Sequence, residues 1–219
     1  MNNLEVHEAR LISITPDAEK QIVYMARVSN PKNQNNHETA PRLVKYLLKH
    51  KHWSPFEMTS MQVEINTTRA IAAQILRHRS FSYQEFSQRY SAVGDLGQIG
   101  LPHLRRQDDK NKQASHDDLD PLLVKQMQDE IKQAYECTFD LYEYLLEKGV
   151  AKECARSILP LGTPTRLYMS GTIRSWIHYI QVRAGVETQL EHRMIAQDVK
   201  EIFKSELPAV YEAVFSEAD

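Results

Sequence analysis

The chain has 219 residues, 27 of them basic and 29 acidic, for a net charge of −2. That length supports one sizeable hydrophobic core, and the balance excludes a general electrostatic pull toward nucleic acid or anionic lipid, so any anion site must be local. Cys137 and Cys154, 17 positions apart and without metal-ligand spacing, give no sign of a disulfide framework or zinc site and fit a reduced, cytoplasmic setting.

No apolar run approaches the roughly 20 residues of a membrane span. Glu5, Glu8 and Arg10 near the amino terminus do not form a signal-peptide pattern, so a soluble, unexported protein is expected.

In chain order, Leu4 and Val6, then Ile12 and Ile14, alternate with polar residues and predict a strand within residues 4–14. Asp17 is placed to cap a helix over residues 18–28, and Leu43, Leu47 and Leu48 keep helical spacing. Ser54-Pro55-Phe56-Glu57 has the form of a capping box with proline at the first helical position. Met61, Val63 and Ile65 alternate with Gln62, Glu64 and Asn66 as in a half-buried strand. Asn66, Thr67 or Thr68 can then cap a helix on which Gln74, Arg77 and His78, at i, i+3 and i+4, share a face.

Residues 105–118 hold Ala114 as their one apolar residue and predict a solvated excursion; His116 among its aspartates is read as loop rather than metal ligand. Val124 to Leu145 repeat at threes and fours, a long amphipathic helix closed by Gly149. A short helix over about 150–158 is stopped by Leu159-Pro160. Beyond Pro164 a helical pattern runs through Met169, Ile173, Trp176, Ile177 and Ile180, and a last helix uses Leu190 to Phe203 before Pro208. Few strands and many helices, without strict alternation, predict an α+β fold: an antiparallel sheet with several packed helices, in a single domain over residues 1–219. Both cysteines are expected to be buried structural thiols.

The chemistry concentrates in two arginine clusters. Arg77-His78-Arg79 is followed, after seven residues, by Ser87 and then Arg89, and every cation between Trp53 and Asp109 is arginine although the chain carries 13 lysines. Arginine's planar fork matches phosphate and carboxylate two bonds at a time. Residues 156–183 contain Arg156, Arg166, Arg174 and Arg183 and no acidic residue or lysine. Arg174, His178 and Gln181 make a polar stripe beside an apolar face, with Arg183 about half a turn away from Arg174. Two such clusters predict a ligand set with several phosphates. A nucleotide- or RNA-binding module without catalysis is the alternative, opposed by the missing lysines and the lack of an aromatic-interleaved basic stripe; a metal-dependent hydrolase built on the His116 loop is a further one.

The run RHRSFSYQEFSQR from Arg77 to Arg89 resembles the signature of the flavin-dependent thymidylate synthases. His52-Trp53-Ser54-Pro55-Phe56-Glu57 is similar to that family's His-x-x-Pro-Phe-Glu element, Glu153 to Pro160 to its Glu-x-Ala-Arg-x-x-Leu-Pro segment, and Thr172 to Gln189 to its carboxy-terminal ligand-binding helix. The resemblance implies reductive methylation of dUMP to dTMP, with methylenetetrahydrofolate giving the carbon, FAD as cofactor and NADPH recharging it, in a cytoplasmic homo-oligomer, a tetramer with sites shared between subunits, that binds neither nucleic acid nor membrane and needs no metal. It places Ser54, Arg77, His78, Arg79, Glu85, Thr172, Arg174 and His178 at FAD and His52 near the flavin ring. It places Gln74, Arg77, Glu85, Phe86, Ser87, Gln88, Arg89, Arg156 and Arg183 at dUMP, with Arg183 binding and activating the uracil. Ser87 has no activating base in the sequence and is assigned to binding, not attack. Thr172 and His178 stand where the family commonly has asparagine, and Glu187 stands where some members have histidine, so Glu187 is left out of the site.

Overall fold

The computed structural model of the chain describes residues 5–97 and 99–216. In chain order the elements are β1 (Glu8–Ile14), α1 (Ala18–Ala26), α2 (Ala40–Lys49), α3 (Ser54–Glu57), β2 (Ser60–Thr68), α4 (Arg69–Ile75), β3 (Ser82–Glu85), β4 (Arg106–Gln107), β5 (Ser115–His116), α5 (Pro121–Glu147), α6 (Lys152–Ala155), β6 (Pro164–Thr172), α7 (Ile173–Arg183), α8 (Leu190–Glu206) and α9 (Pro208–Phe215). A four-stranded sheet of order β1-β2-β6-β3 and a small β4-β5 hairpin give the expected α+β class with an antiparallel sheet. Across the sheet, Ser13 meets Gln62 while the Thr15 N–H meets the Ser60 carbonyl, so one strand counts up as the other counts down.

The chain divides into two compact units. One comprises Asn66–Arg77 and Gln84–Leu167 with residues 5–7; the other comprises Glu8–Ile65, His78–Tyr83 and residues 168–216.

In the second unit, β2 buries Met61, Val63 and Ile65 on alternate positions, as period-2 patterning requires. The buried face of α7, with Ile173, Trp176, Ile177, Tyr179 and Ile180, packs toward this core, and the Trp176 indole N–H donates to the Met61 carbonyl at 3.0 Å. α8 lies against β1 and α7, and α9 against α2. Lys51 ends α2 in a left-handed conformation, φ 57°. Its N–H reaches the Leu48 carbonyl at 3.1 Å and the His52 N–H reaches that of Leu47 at 2.8 Å, the paired bonds of a Schellman termination with lysine where glycine is preferred.

In the first unit, α5 is opened by Asp120, whose carboxylate accepts the Leu122 and Leu123 N–H groups at 2.9 and 3.0 Å. It is closed by Gly149 at φ 81°, with the Val150 N–H on the Leu145 carbonyl at 2.9 Å. Val93, Tyr142 and Ala155 form a buried cluster under Phe139, Leu145 and Val150. Tyr142 is nevertheless the one buried residue of α5's 27.

Several expectations are corrected. The strand expected within 4–14 runs Glu8–Ile14, and Leu4 lies outside the described residues. Pro164–Thr172 is a strand, not helix: Thr165, Leu167 and Met169 are buried on alternate positions and helical spacing begins only at Ile173. β3 and α9 were not expected. Ser54 is the first helical residue of α3 and makes no capping bond, because Trp53 holds the cap position and Glu57 points its carboxylate to Arg174. Asp17 precedes α1 in a left-handed conformation, and its carboxylate holds Lys20 instead of a backbone N–H. Both cysteines are exposed, not buried: Cys137 lies on the outward side of α5, whose inward side carries Phe139, Tyr142 and Leu145, and Ala155 is the inward residue of the four-residue α6. The 105–118 segment is exposed, as expected, and folds as the β4-β5 hairpin: Asp108 accepts the Lys110 and Asn111 N–H groups at its turn, and His116 pairs with Asp108 at 2.6 Å.

Candidate active site

In the second unit the site residues gather around α7. Thr172 ends β6 and caps the helix, its hydroxyl accepting the Ser175 N–H at 3.3 Å. With the apolar face buried, Arg174, His178 and Gln181 fall on the exposed stripe that their spacing requires. They line a cleft with Trp53, Glu57, Ser80, Ser175 and Ile177. Arg174 donates to the Glu57 carboxylate and lies over the Trp53 ring, 5.6 Å from its centroid. Both partners were missed in the sequence: Glu57 read there as a helix cap and Trp53 as part of a motif.

Half a turn away, Arg183 meets different groups. Its Nε–H donates to His78 Nε2 at 2.9 Å. Burial, the Arg183 charge and His178 together hold His78 well below an ordinary imidazole, at about 4. Its ring meets that of Tyr179 edge-on at 5.0 Å, and the Tyr179 hydroxyl lies 3.2 Å from Nε2 of His192, which is fully buried. Burial, with the Arg183 charge and the neighbouring His78 ring, drives His192 down to about 3, and burial pushes the Tyr179 hydroxyl up. The Tyr83 hydroxyl donates to the His78 carbonyl at 2.8 Å, and burial raises its pKa to about 12. No sequence spacing marked Tyr179 or His192, since they meet only when α8 packs on α7.

The shared helical face expected for Gln74, Arg77 and His78 does not form. α4 stops at Ile75, leaving Gln74 in its last turn and Arg77-His78-Arg79 in the turn that follows. The His78 carbonyl that would continue the helix is taken by Tyr83. Arg79 is exposed, as are His52 and Ser54. His52 follows the Lys51 turn, its ring 5.9 Å from that of Tyr46 and 6.0 Å from that of His50.

In the first unit, Glu85 at the end of β3 accepts from Arg69 and from the Thr165 hydroxyl, partners that sequence spacing did not reveal. Phe86 is held by its N–H on the Arg166 carbonyl at 2.8 Å. Ser87 turns the chain, its carbonyl accepting from Tyr90 and Ser91, and Gln88 is buried. Arg89 pairs with Glu153 at 2.9 Å, an exposed pair of small energetic value. Arg77 is exposed and Arg156 half-buried at the end of α6.

The α+β scaffold presents guanidinium groups from short turns and helix faces, one of them hydrogen-bonded to an imidazole, a donor set whose chemistry suits anionic ligands. Residues 10–209 match the family model described as thymidylate synthase complementing protein. A probable flavin-dependent thymidylate synthase of Paramecium bursaria Chlorella virus 1 is 50% identical over 214 residues, covering 94% of this chain and 98% of the relative. A flavin-dependent thymidylate synthase of Synechocystis sp. is 51% identical over 193 residues, covering 88% and 87%. A solved structure of the UMP/dUMP methylase PolB from Streptomyces cacaoi, bound with 5-Br dUMP, superposes with a TM-score of 0.84 at 25% identity, covering 99% of this chain and 97% of that one. The chain belongs to the flavin-dependent thymidylate synthase family.

Proposed function

We propose that the protein reductively methylates dUMP to dTMP, with methylenetetrahydrofolate as carbon donor, FAD as cofactor and NADPH as the reductant that recharges it. The observation that carries this reading is the Arg183–His78 pair: a guanidinium fixed through Nε, with its Nη groups left to meet a ligand. Against the N3/O4 edge of a uracil such a group stabilises negative charge developing on the ring, as an oxyanion hole does for a carbonyl. No cysteine nucleophile enters.

The α7 cleft fits a flavin dinucleotide by its donor set. Arg174, His178, Ser80, Ser175 and Gln181 offer cationic and neutral donors, and Trp53 offers an aromatic wall. Ser54, Arg77, His78, Arg79, Glu85, Thr172, Arg174 and His178 would hold FAD, with His52 near its ring. When bound and reduced, the flavin supplies the hydride of the methylation. Gln74, Arg77, Glu85, Phe86, Ser87, Gln88, Arg89, Arg156 and Arg183 would bind dUMP. Arg174 must exchange the Glu57 carboxylate for phosphate, which an exposed ion pair allows at little cost.

The assembly belongs to the same proposal: a cytoplasmic homotetramer with shared sites, each chain a single domain over residues 1–219. The outward apolar residues of α5 support association, and the family match across residues 10–209 supports one domain. No helix among the described residues is long and apolar enough to cross a membrane.

The test is direct. Purified protein should take up FAD, its flavin band should bleach under NADPH, and dUMP with methylenetetrahydrofolate should yield dTMP by chromatography. Protein that takes up no FAD and forms no dTMP overturns the reading.

A further inference from the structure

Arg183 sits in the last turn of α7, where an arginine side chain has several rotatable bonds and loses much of its rotamer freedom when fixed. Arg183 is half-buried, and the directed bond on its side chain runs from Nε–H to His78 Nε2 at 2.9 Å. A histidine nitrogen accepts only when it carries no proton, so this bond requires the neutral ring with its proton on Nδ1.

The surroundings of His78 favour that state and hold the ring. Its carbonyl is tied by the Tyr83 hydroxyl, which fixes the backbone of the turn. One edge of the ring contact is set by Tyr179, itself fully buried and anchored at its hydroxyl by His192 from α8, and the His78 and His192 rings are 6.2 Å apart. Arg183 and Tyr179 are four residues apart on α7, so the tyrosine that orients the imidazole and the arginine that the imidazole orients share one helical face. An imidazolium at this position would lose its acceptor and place two cations 2.9 Å apart.

We propose that His78 is the positioning residue of Arg183, acting as a neutral acceptor that fixes the guanidinium through Nε and leaves the Nη1/Nη2 fork to the pyrimidine, with Tyr179 and His192 as the buried support of that imidazole. This rests on the reading of Arg183 as the uracil-binding group. It assigns the central histidine of the Arg77-His78-Arg79 run to the nucleotide's arginine, beyond the flavin contact implied by resemblance.

The experiment measures dUMP affinity at saturating FAD, and the KM for dUMP against kcat, in wild type, Arg183→Ala, His78→Phe and His78→Gln. Phenylalanine keeps a ring against Tyr179 without an acceptor, whereas glutamine keeps an acceptor oxygen. His78→Phe should bind dUMP about tenfold more weakly, the scale of one lost directed hydrogen bond. His78→Gln should recover to within about threefold of wild type by the same measure.

Equal loss in both variants, or wild-type affinity in His78→Phe, overturns the proposal. Wild-type affinity in Arg183→Ala shows instead that the reading of Arg183 fails. If His78→Phe takes up no flavin, the same comparison of the two variants is made without FAD. If it does not fold, Tyr179→Phe decides: about threefold weaker dUMP binding at normal flavin content supports the assignment, and unchanged affinity overturns it.

Discussion

Glu57 holds the guanidinium of Arg174. The carboxylate comes from α3 and the arginine from the first turn of α7, and the Trp53 ring underlies the pair. A cationic side chain proposed for phosphate thus rests on one of the protein's own anions. Both side chains are more than two-fifths exposed, which limits the pair to about 1 kcal/mol or less.

Glu57→Gln should therefore tighten FAD binding by about two- to fivefold at low salt, because a competing carboxylate and its repulsion of phosphate are removed together. The gain should fade as ionic strength rises. Fluorescence titration with FAD at two salt concentrations reads both effects. Weaker binding at either salt would mean that Glu57 helps by orienting Arg174.

Lys51→Gly should stabilise the protein by about 0.5–1 kcal/mol, the difference between relieving a left-handed lysine and freeing the unfolded chain. Lys51 stands at φ 57° in the Schellman turn that ends α2. Urea unfolding midpoints of variant and wild type give the answer, and a destabilised variant would show that the lysine side chain compensates for its own backbone.

His192 gives the protein an acid limit. Its folded pKa of about 3 lies below the ordinary 6.5, so the unfolded chain binds more protons between those values. Stability is at its full value above pH 6.5 and falls as the pH drops toward 3, by about 3 kcal/mol from this residue between pH 7 and 4. Glu19 and Asp198, whose pKa values are raised by burial, act in the opposite direction. Comparing His192→Leu with wild type at pH 7, 5.5 and 4 isolates the histidine, and the variant should show a visibly shallower loss. An equal slope in both proteins would assign the acid sensitivity elsewhere.

Gly171→Ala should cost about 1–3 kcal/mol. A Cβ there would stand 2.4 Å from Phe81 Cδ1 and 2.6 Å from Cε1. That ring packs on Trp176 at 4.7 Å and belongs to the turn carrying His78 and Arg79. Chemical denaturation measures the cost, and Phe81→Leu in the same chain should recover part of it. Full stability of the single variant would show the ring free to move.

How much of this was legible from residues alone depended on whether a pattern was local. β2 alternates cleanly and α5 carries its own cap and closing glycine, so both were read correctly. β6 was read as helix because Met169 and Ile173 fall four apart, a spacing that continues into α7 and masks the Gly171-Thr172 break at the junction. The Arg174, His178 and Gln181 stripe was visible because one helix carries it. Glu57 with Arg174, Glu85 with Arg69 and Thr165, and His192 with Tyr179 are pairings between elements distant in sequence, and no period encodes them.

The longest helix has the least interior. Beside the single buried Tyr142, α5 leaves Leu122 at 79%, Leu141 at 49% and Tyr144 at 53% exposure over a rod about 40 Å long. We propose that association covers these side chains, so the melting temperature should rise with protein concentration, and dilution should act on the protein as a denaturant does.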